Sequence, residues 1–362
     1  MAIQSSLFVE QIYQQIEMEI LEVIAKRLSQ GMYTEDGVLH WQMKQINLLG
    51  RLRQDQYEII AKYSGKSVEA VKVMLEEVAQ DEYKRLTGHL KQYEGKYIPT
   101  TLSSYGALYT LSSALEQQAI EITNMLNSTI LNGAEQAYRD ILTEAVMNVS
   151  SGRESIQSSV VRSIKRMAEQ GIPTWMDKSG RVWSNEAYVN MTIRATNKNV
   201  TNQVTNNLLD EYDIDLVRVS DHSDSRPEHA PYQGKVYSRS GKSRKYPPLS
   251  ETSYGDTRTG LVTGINCRHL LYPHFEGVSA KYPEPLPIDE VQKNYEQSQK
   301  QRYLERQIRN AKKRKIALEA LGVDDDEITK ADRLIKARQA RMSEFIRQTG
   351  RTRQRARERV VS

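Results

Sequence analysis

The segment SDHSDSRPEHAPYQGKVYSRSG (residues 220–241), followed after a polar loop by GLVTGINCRHLLYPH (residues 260–274), sets the organisation of this chain. It holds the only cysteine and four of the six histidines. Gly, Pro, Asn, Asp and Ser recur through it at turn-forming positions, whereas the sequence before it has the apolar spacing of helices. We therefore predict a compact, turn-rich unit between two helical segments.

Composition narrows the class of protein. The length of 362 residues predicts two or three folded units. Hydrophobic residues make up 38% of the chain and charged residues 27%, a balance that suits extended helices with much exposed surface. The single cysteine excludes an intrachain disulfide, and no run of about twenty apolar residues is present to cross a bilayer. We expect no membrane partner.

The N-terminal part of the chain predicts short linked helices. Apolar residues repeat every four positions along one face of a first helix, at Ile12, Ile16, Ile20, Ile24 and Leu28. A second helical pattern covers residues 39–63 and is predicted to stop at Ser64-Gly65. Ser67 is then placed to cap a third helix.

A longer helical pattern follows a predicted break at Gly95 and Pro99. It covers residues 102–149, with Asn132-Gly133 as a candidate break or kink. Residues 156–167 predict one more helix. A helical stretch this long is typical of an arm that packs against partners.

The pattern then changes to a mixture of strands and helix. Two tryptophans flanking a turn predict a β-hairpin over residues 174–183, followed by a helix over 185–209 and strands over 214–219 and 235–238. We predict a predominantly helical α+β fold in three parts. These are a helical bundle and arm (1–171), a small α+β domain with a long loop (172–288), and a basic tail, helical or partly disordered (289–362).

The histidines and the cysteine predict either a metal site or buried polar residues. His222 and His229 form one pair, and Cys267 and His269, two residues apart, form a second. Four nitrogen and sulfur donors in two pairs are what a tetrahedral structural zinc site needs. The alternative is that hydrogen bonds satisfy these side chains without any metal.

A catalytic interpretation is also open. Asp221-His222 with the later Asn266 and His269 loosely resembles metal-dependent nucleases, and Cys267 beside a histidine could be a nucleophile. The defined spacing of such nucleases is absent, and there is no phosphate-binding glycine loop. We therefore predict no enzyme. The alternative function is a metal-dependent hydrolase, a nuclease or cell-wall enzyme, that uses the His/Cys cluster.

Positive charge is concentrated at the C-terminal end. Residues 300–362 contain 19 Lys or Arg and 9 Asp or Glu, although the whole chain carries only +5. Such a region attracts polyanions, and DNA phosphates would bind it without sequence preference. The candidate nucleic-acid-binding residues are Lys312, Lys313, Arg314, Lys315, Arg351, Arg353, Arg355 and Arg357.

The segments DLVRVSDH, RPEHAPYQGKVYS and GLVTGINCRH, in this order and spacing, resemble the phage minor capsid protein 2 family. The residues that carry the resemblance most specifically are Arg226, Pro227, Gln233, Gly234, Asn266 and Arg268. The likeness extends loosely over residues 35–278.

The resemblance implies a structural minor head protein of a tailed phage. Its expected partners are the portal protein, scaffold and major capsid proteins, and packaged double-stranded DNA. Its expected place is the virion, in the head interior near the portal, after assembly in the host cytoplasm. The implied roles are head assembly, genome packaging or ejection, and the resemblance establishes no enzymatic activity. In related head-morphogenesis proteins a cysteine-rich pattern occupies the comparable region, which keeps a zinc ion under consideration as a cofactor.

Overall fold

The computed structural model describes residues 2–360 except 33, 35, 94, 96–105, 257–258, 265 and 280–282. Eight α-helices in the described ranges are α1 (Ala2–Ser29), α2 (Val38–Asn47), α3 (Leu49–Leu90), α4 (Gly106–Ser150), α5 (Ile156–Gln170), α6 (Asn185–Glu211), α7 (Ile288–Leu321) and α8 (Asp325–Thr349). The strands are β1 (Pro173–Met176), β2 (Val182–Ser184), β3 (Leu216–Val219), β4 (Val236–Ser238) and β5 (Leu271–Pro273). The prediction of a predominantly helical α+β fold is confirmed.

The chain forms two compact units, each assembled from three separate stretches. The first unit comprises Met1–Ser6, Ala70–Ile120 and Met191–Gln299, and the second comprises Leu7–Glu69, Glu121–Asn190 and Lys300–Ser362. The predicted segment boundaries at 171/172 and 288/289 do not coincide with these units, because α6 and α7 each supply residues to both.

The first unit is built around a small antiparallel sheet in the order β4-β3-β5. The predicted strands over 214–219 and 235–238 are confirmed as β3 and β4. β5 lies within the second part of the histidine-rich segment and was not predicted as a strand. Apolar side chains from the strands, the loops and the ends of α3 and α6 form one buried cluster: Leu90, Tyr93, Leu209, Ile214, Val217, Val219, Tyr237, Leu249, Leu261, Val262 and Leu271.

The second unit contains the predicted hairpin, which is confirmed as the antiparallel pair β1–β2. The side chain of Asp177 closes its turn by accepting hydrogen bonds from the backbone N–H groups of Ser179 and Arg181, at 2.9 and 3.1 Å. The large aromatic residues Trp41, Tyr13 and Tyr138 are completely or almost completely buried in this unit.

The acidic run at residues 324–327 begins α8 within the basic tail. The Asp324 side chain caps the helix by accepting a hydrogen bond from the Glu327 backbone N–H at 2.9 Å. Asp325, Asp326 and Glu327 then place negative charge in the first turn, where the helix dipole favours it. After α8, Arg353 and Glu358 form a bidentate pair at 2.6 and 2.7 Å around a short 3-10 helix at Arg355–Glu358.

Two predicted helix breaks are wrong. α3 continues through Ser64-Gly65, and Ser67 is a fully buried helical residue whose hydroxyl donates to the Ser64 carbonyl at 2.9 Å instead of capping a helix. The interruption lies earlier, at Leu48 between α2 and α3. The predicted break at Pro99 and the start of the long helix at residues 102–105 lie outside the described residues.

The second wrong break is at Asn132-Gly133, where α4 is continuous. A Cβ at Gly133 would lie 1.9 Å from the Pro173 carbonyl oxygen, so this glycine permits a close approach between α4 and β1. Packing, rather than helix termination, explains the glycine.

Substituting the two helical glycines is expected to change stability in opposite directions. Gly133→Ala forces a shift of the backbone at Pro173 and should lower the free energy of unfolding by about 1–3 kcal/mol. Gly65→Ala meets nothing within 4 Å and should raise it by about 0.5–1 kcal/mol, because alanine loses less conformational entropy in a helix. Urea titrations of both variants measure the difference; equal effects would contradict the packing role of Gly133.

A buried ion network in the second unit connects α1, α6 and α7. The Lys313 ammonium donates to Glu17 at 2.8 Å and lies 3.4 Å from Glu186, which also pairs with Arg309. The Lys313 side chain is 4% exposed and that of Glu17 is 2% exposed. Burial by itself would raise the pKa of Glu186, but the charges of Lys313 and Arg309 outweigh burial and lower this pKa to about 2.

Glu186 is therefore expected to stabilise the fold at neutral pH but not in strong acid. Its pKa is depressed from 4.5 in the unfolded chain, so its contribution is present above pH 4.5 and is lost as the pH falls towards about 2. Glu186→Gln should cost about 3–5 kcal/mol of unfolding free energy at pH 7, because it leaves buried cations without their partner. The penalty should shrink as unfolding is measured at successively lower pH. Glu344→Gln, in an exposed pair with Arg347, is the control and should change little.

Candidate functional site

Two loops of the first unit bring three nitrogen and sulfur side chains together. His229 lies in a turn at residues 226–234, where its backbone N–H donates to the Arg226 carbonyl at 2.9 Å. Cys267 and His269 lie in the extended segment that leads into β5. An extended backbone points side chains two residues apart to the same side, so both face His229.

The three donor atoms are close enough to share one ligand. The Cys267 Sγ lies 3.3 Å from the His269 Nδ1 and 3.7 Å from the His229 Nδ1. All three atoms lie within 4.8 Å of one another. The residues are buried, with exposed fractions of 1% for His229, 2% for His269 and 7% for Cys267.

The far nitrogen of each imidazole is held by a carbonyl oxygen. The His229 Nε2 lies 2.8 Å from the Thr259 backbone oxygen, and the His269 Nε2 lies 3.1 Å from the Gln233 side-chain oxygen. That Gln233 oxygen also accepts a hydrogen bond from the His222 backbone N–H at 3.0 Å, which fixes it as an acceptor. Both Nε2 atoms therefore donate, and in the neutral form of each imidazole the Nδ1 lone pair faces Cys267.

The backbone around Cys267 is bent so that an N–H group also meets its sulfur. The Val262 N–H donates to the Cys267 Sγ at 3.2 Å. Val262 and Asn266 both have positive φ, at 67° and 61°. Asparagine tolerates this conformation, but a β-branched valine rarely adopts it, so the tight loop is a strained feature that the surrounding contacts maintain.

These contacts determine the protonation of the cluster. Burial would raise the pKa of the Cys267 thiol, but hydrogen bonds with His229 and His269 outweigh burial and lower the pKa to about 5. Burial would lower the pKa of His229, yet its hydrogen bonds to Cys267 and Thr259 raise it. Burial lowers the pKa of His269. A lowered thiol pKa favours the thiolate, which is the form of cysteine that binds metals.

His222 lies beside the cluster without joining it. Its Nε2 is 3.1 Å from the Arg268 backbone oxygen and 3.3 Å from the Ser220 hydroxyl. The predicted fourth ligand, His222, has its ring centroid 4.9 Å from that of His269, but its nitrogen atoms are not among the three convergent donor atoms. His229, Cys267 and His269 are the residues that the fold brings together.

The other residues of the quoted motif support the two loops. Arg268 pairs with Asp224. Gly234 has a positive φ of 73°, and a Cβ added to it would lie only 2.3 Å from the Cγ of Pro285. Asn266 supplies the left-handed residue of the tight loop, Gln233 bridges the loops, and Arg226-Pro227 begins the turn that carries His229. These positions have structural roles in the first unit.

Sequence reasoning missed a buried lysine beneath the cluster. Lys198 on α6 is 8% exposed, and its ammonium donates to the His269 carbonyl at 2.5 Å. Burial lowers its pKa to about 8. No local pattern marks this lysine, because most lysines at such helical positions are exposed.

The predicted nucleic-acid-binding residues separate into paired and exposed groups, all in the second unit. Lys313 is buried in the ion network, so the prediction that it contacts DNA is wrong for the folded chain. Arg314 pairs with Glu169, Lys315 with Asp332 and Arg353 with Glu358, while Lys312 donates to the Glu358 carbonyl and Arg351 to the Gln301 side chain. Arg355 and Arg357 are exposed.

A basic cleft lies between the end of the chain and α8. It has a volume of about 390 Å³ and is lined by Lys312, Gln339, Ala340, Ser343, Arg353, Arg355, Glu358 and Arg359. Four of these side chains are basic and one is acidic. The cleft is therefore suited to an anionic group.

Known phage proteins resemble this chain over most of its length. Residues 4–347 match the family model described as "Phage minor capsid protein 2". A protein named "Structural protein" from Lactococcus phage LL-H is 30% identical over 325 residues, which cover 85% of each chain. Another "Structural protein", from Lactococcus phage mv4, is 45% identical over 78 residues, 22% of this chain and 62% of that one. No solved structure matches. Among the described helices, none has the length and apolar character of a membrane span.

Proposed function

This chain belongs to the phage minor capsid protein 2 family and is a structural protein of the virion, and from that premise we propose that it binds the portal vertex and contacts packaged double-stranded DNA. The proposed position is the head interior near the portal. The proposed roles are head assembly, genome packaging or ejection. The observation that carries the DNA contact is the exposed positive charge at the C-terminal end of the second unit.

We define the positive C-terminal surface as the exposed basic residues of α8 and the segment after it, apart from Lys330 and Arg347, which pair with acids on α8. Its members are Arg333, Lys336, Arg341, Arg355, Arg357 and Arg359. The basic cleft joins the two parts of this surface, because side chains of α8 and of residues 353–359 line it together. Within the described residues, Arg355 and Arg359 make no ion pair, and the Arg357 guanidinium lies 3.9 Å from Glu305. The charges of Arg355 and Arg359 are therefore available to a polyanion, and that of Arg357 is held only by this long ion pair.

The chemistry of this surface favours the phosphate backbone over base edges. Arginine side chains on an exposed segment bind phosphates by releasing condensed counterions, which gives affinity without sequence preference. Protein partners, including scaffold and major capsid proteins, would bind other surfaces of the chain.

Removing three charges from the surface should weaken DNA binding and its salt dependence. The full-length triple variant Arg355→Gln, Arg357→Gln, Arg359→Gln should bind long duplex DNA less tightly. The slope of log affinity against log salt should become shallower by about 3, at roughly 0.9 per lost phosphate contact. Fluorescence anisotropy at several salt concentrations measures both.

A matched variant removes three exposed charges elsewhere, at Lys178, Lys242 and Arg244. It should leave the slope unchanged. Equal slopes for the wild type and the C-terminal variant, or binding that salt does not weaken, would contradict the proposed DNA contact.

A second surface supports the proposed binding to the portal. α2 exposes an apolar stripe on one face, with Leu39 61% exposed, Met43 65% and Ile46 45%. Their spacing of four and three residues keeps them on adjacent turns. Exposed apolar residues grouped in this way are typical of helices that dock against another protein.

Polar substitutions on the stripe should weaken portal binding without unfolding the chain. Leu39→Ser with Met43→Ser should lower affinity for a purified portal oligomer about tenfold or more, because fully burying a Leu or Met side chain is worth about 1.5–3 kcal/mol. Met147→Ser on α4, where the methionine is 67% exposed, is the control. Equal loss in the control and the stripe variant, or no loss in either, would contradict this use of α2.

A further inference from the structure

We propose that His229, Cys267 and His269 bind one divalent metal ion of the zinc class, with His222 outside the ligand set. The three side chains come from two loops of the first unit, separated by 38 residues along the chain at His229 and Cys267. This site goes beyond the proposed function, since it concerns how the first unit is stabilised and needs neither the portal nor DNA.

The three donor atoms of the cluster have more lone pairs facing one another than they have protons to share. Both Nε2 atoms donate to carbonyl oxygens, so His229 and His269 each aim an Nδ1 lone pair at the Cys267 sulfur. A thiol has one proton and can satisfy only one of them. A single cation between the three atoms satisfies both nitrogens and the sulfur together.

The distances between the donor atoms also fit a tetrahedral zinc ion. Tetrahedral zinc with nitrogen at about 2.0–2.1 Å and sulfur at about 2.3 Å separates its donors by about 3.3–3.6 Å. The two measured separations are 3.3 and 3.7 Å. The third pair, between the imidazole nitrogens, is within 4.8 Å. Small side-chain adjustments bring all three donors to bonding geometry.

The groups that surround the donor atoms are also those found around bound metal ions. Metal-binding histidines usually donate their other N–H to a carbonyl or carboxylate oxygen, as both do here to Thr259 and Gln233. The Val262 N–H directed at the sulfur stabilises a thiolate. Imidazole and thiolate donors favour zinc over magnesium or calcium, which prefer oxygen.

The burial of the site indicates a structural role. With all three ligands at most 7% exposed, the ion would connect the turn at residues 226–234 to the entry of β5 and to the positive-φ residues Val262 and Asn266. Water or a small ligand would complete the fourth position. Metal binding would then stabilise the folded first unit.

The test begins with the metal content of the full-length protein purified from zinc-supplemented medium. The wild type should hold one equivalent of zinc by elemental analysis, and Cys267→Ser and His229→Gln should lose it. His222→Gln, a histidine change in the same segment, is the matched control and should keep one equivalent. Loss of zinc in the control would overturn the ligand set.

Cobalt substitution of the wild type keeps the test independent of how well the variants fold. Metal-stripped protein titrated with Co²⁺ should develop the strong visible bands of a four-coordinate site and a sulfur-to-cobalt charge-transfer band, saturating at one equivalent. A wild type with neither zinc nor this spectrum would overturn the proposal and identify the cluster as a metal-free thiolate–imidazolium pair.

Because Gln233 orients His269, replacing it should weaken zinc binding without abolishing it. Gln233→Leu removes the oxygen that orients His269, and zinc affinity measured by chelator competition should fall about 10- to 100-fold. One equivalent should still bind at saturating zinc. Unchanged affinity would count against metal coordination through the His269 Nδ1.

Discussion

The second unit depends on a lysine that is buried with two carboxylates. Lys313 on α7 reaches Glu17 on α1 and Glu186 on α6, and Glu17 also accepts the Ile172 backbone N–H at 3.0 Å. Charges buried at this depth are stable only when every partner is present, because each unpaired charge carries a large desolvation penalty. The network therefore requires three stretches that are distant in sequence to assemble together.

This constraint also divides the basic tail into two functional parts. Lys313 and Arg309 are committed to the interior and to Glu186, so they contribute to the fold and have no charge left for a polyanion. Arg355 and Arg359 lie beyond the last α-helix and remain exposed. Net charge by itself does not distinguish these two uses of a basic residue, since both raise the same total.

The first unit uses a different means of holding its loops. Its sheet has only three strands of three or four residues, and the loop from β4 to β5 is long. The cluster of His229, Cys267 and His269 joins that loop to the preceding turn at its buried end. The apolar residues beside it, Leu261 and Val262, continue into the core of the sheet. The polar cluster and the core are thus one packed region.

The sequence determined the fold class, the hairpin, α6, and the strands β3 and β4, because these elements depend on local periodicity and turn residues. It also placed the His/Cys pairs in one segment and identified the family from them. Only the tertiary structure decided that Gly65 and Gly133 do not break their helices, since packing around a continuous helix outweighs the small cost of a glycine. It likewise separated His222 from the three convergent side chains and Lys313 from the exposed basic residues. Which donor faces which, and which charge is buried, depends on contacts between residues far apart in the chain, and those contacts leave no periodic signal in the sequence.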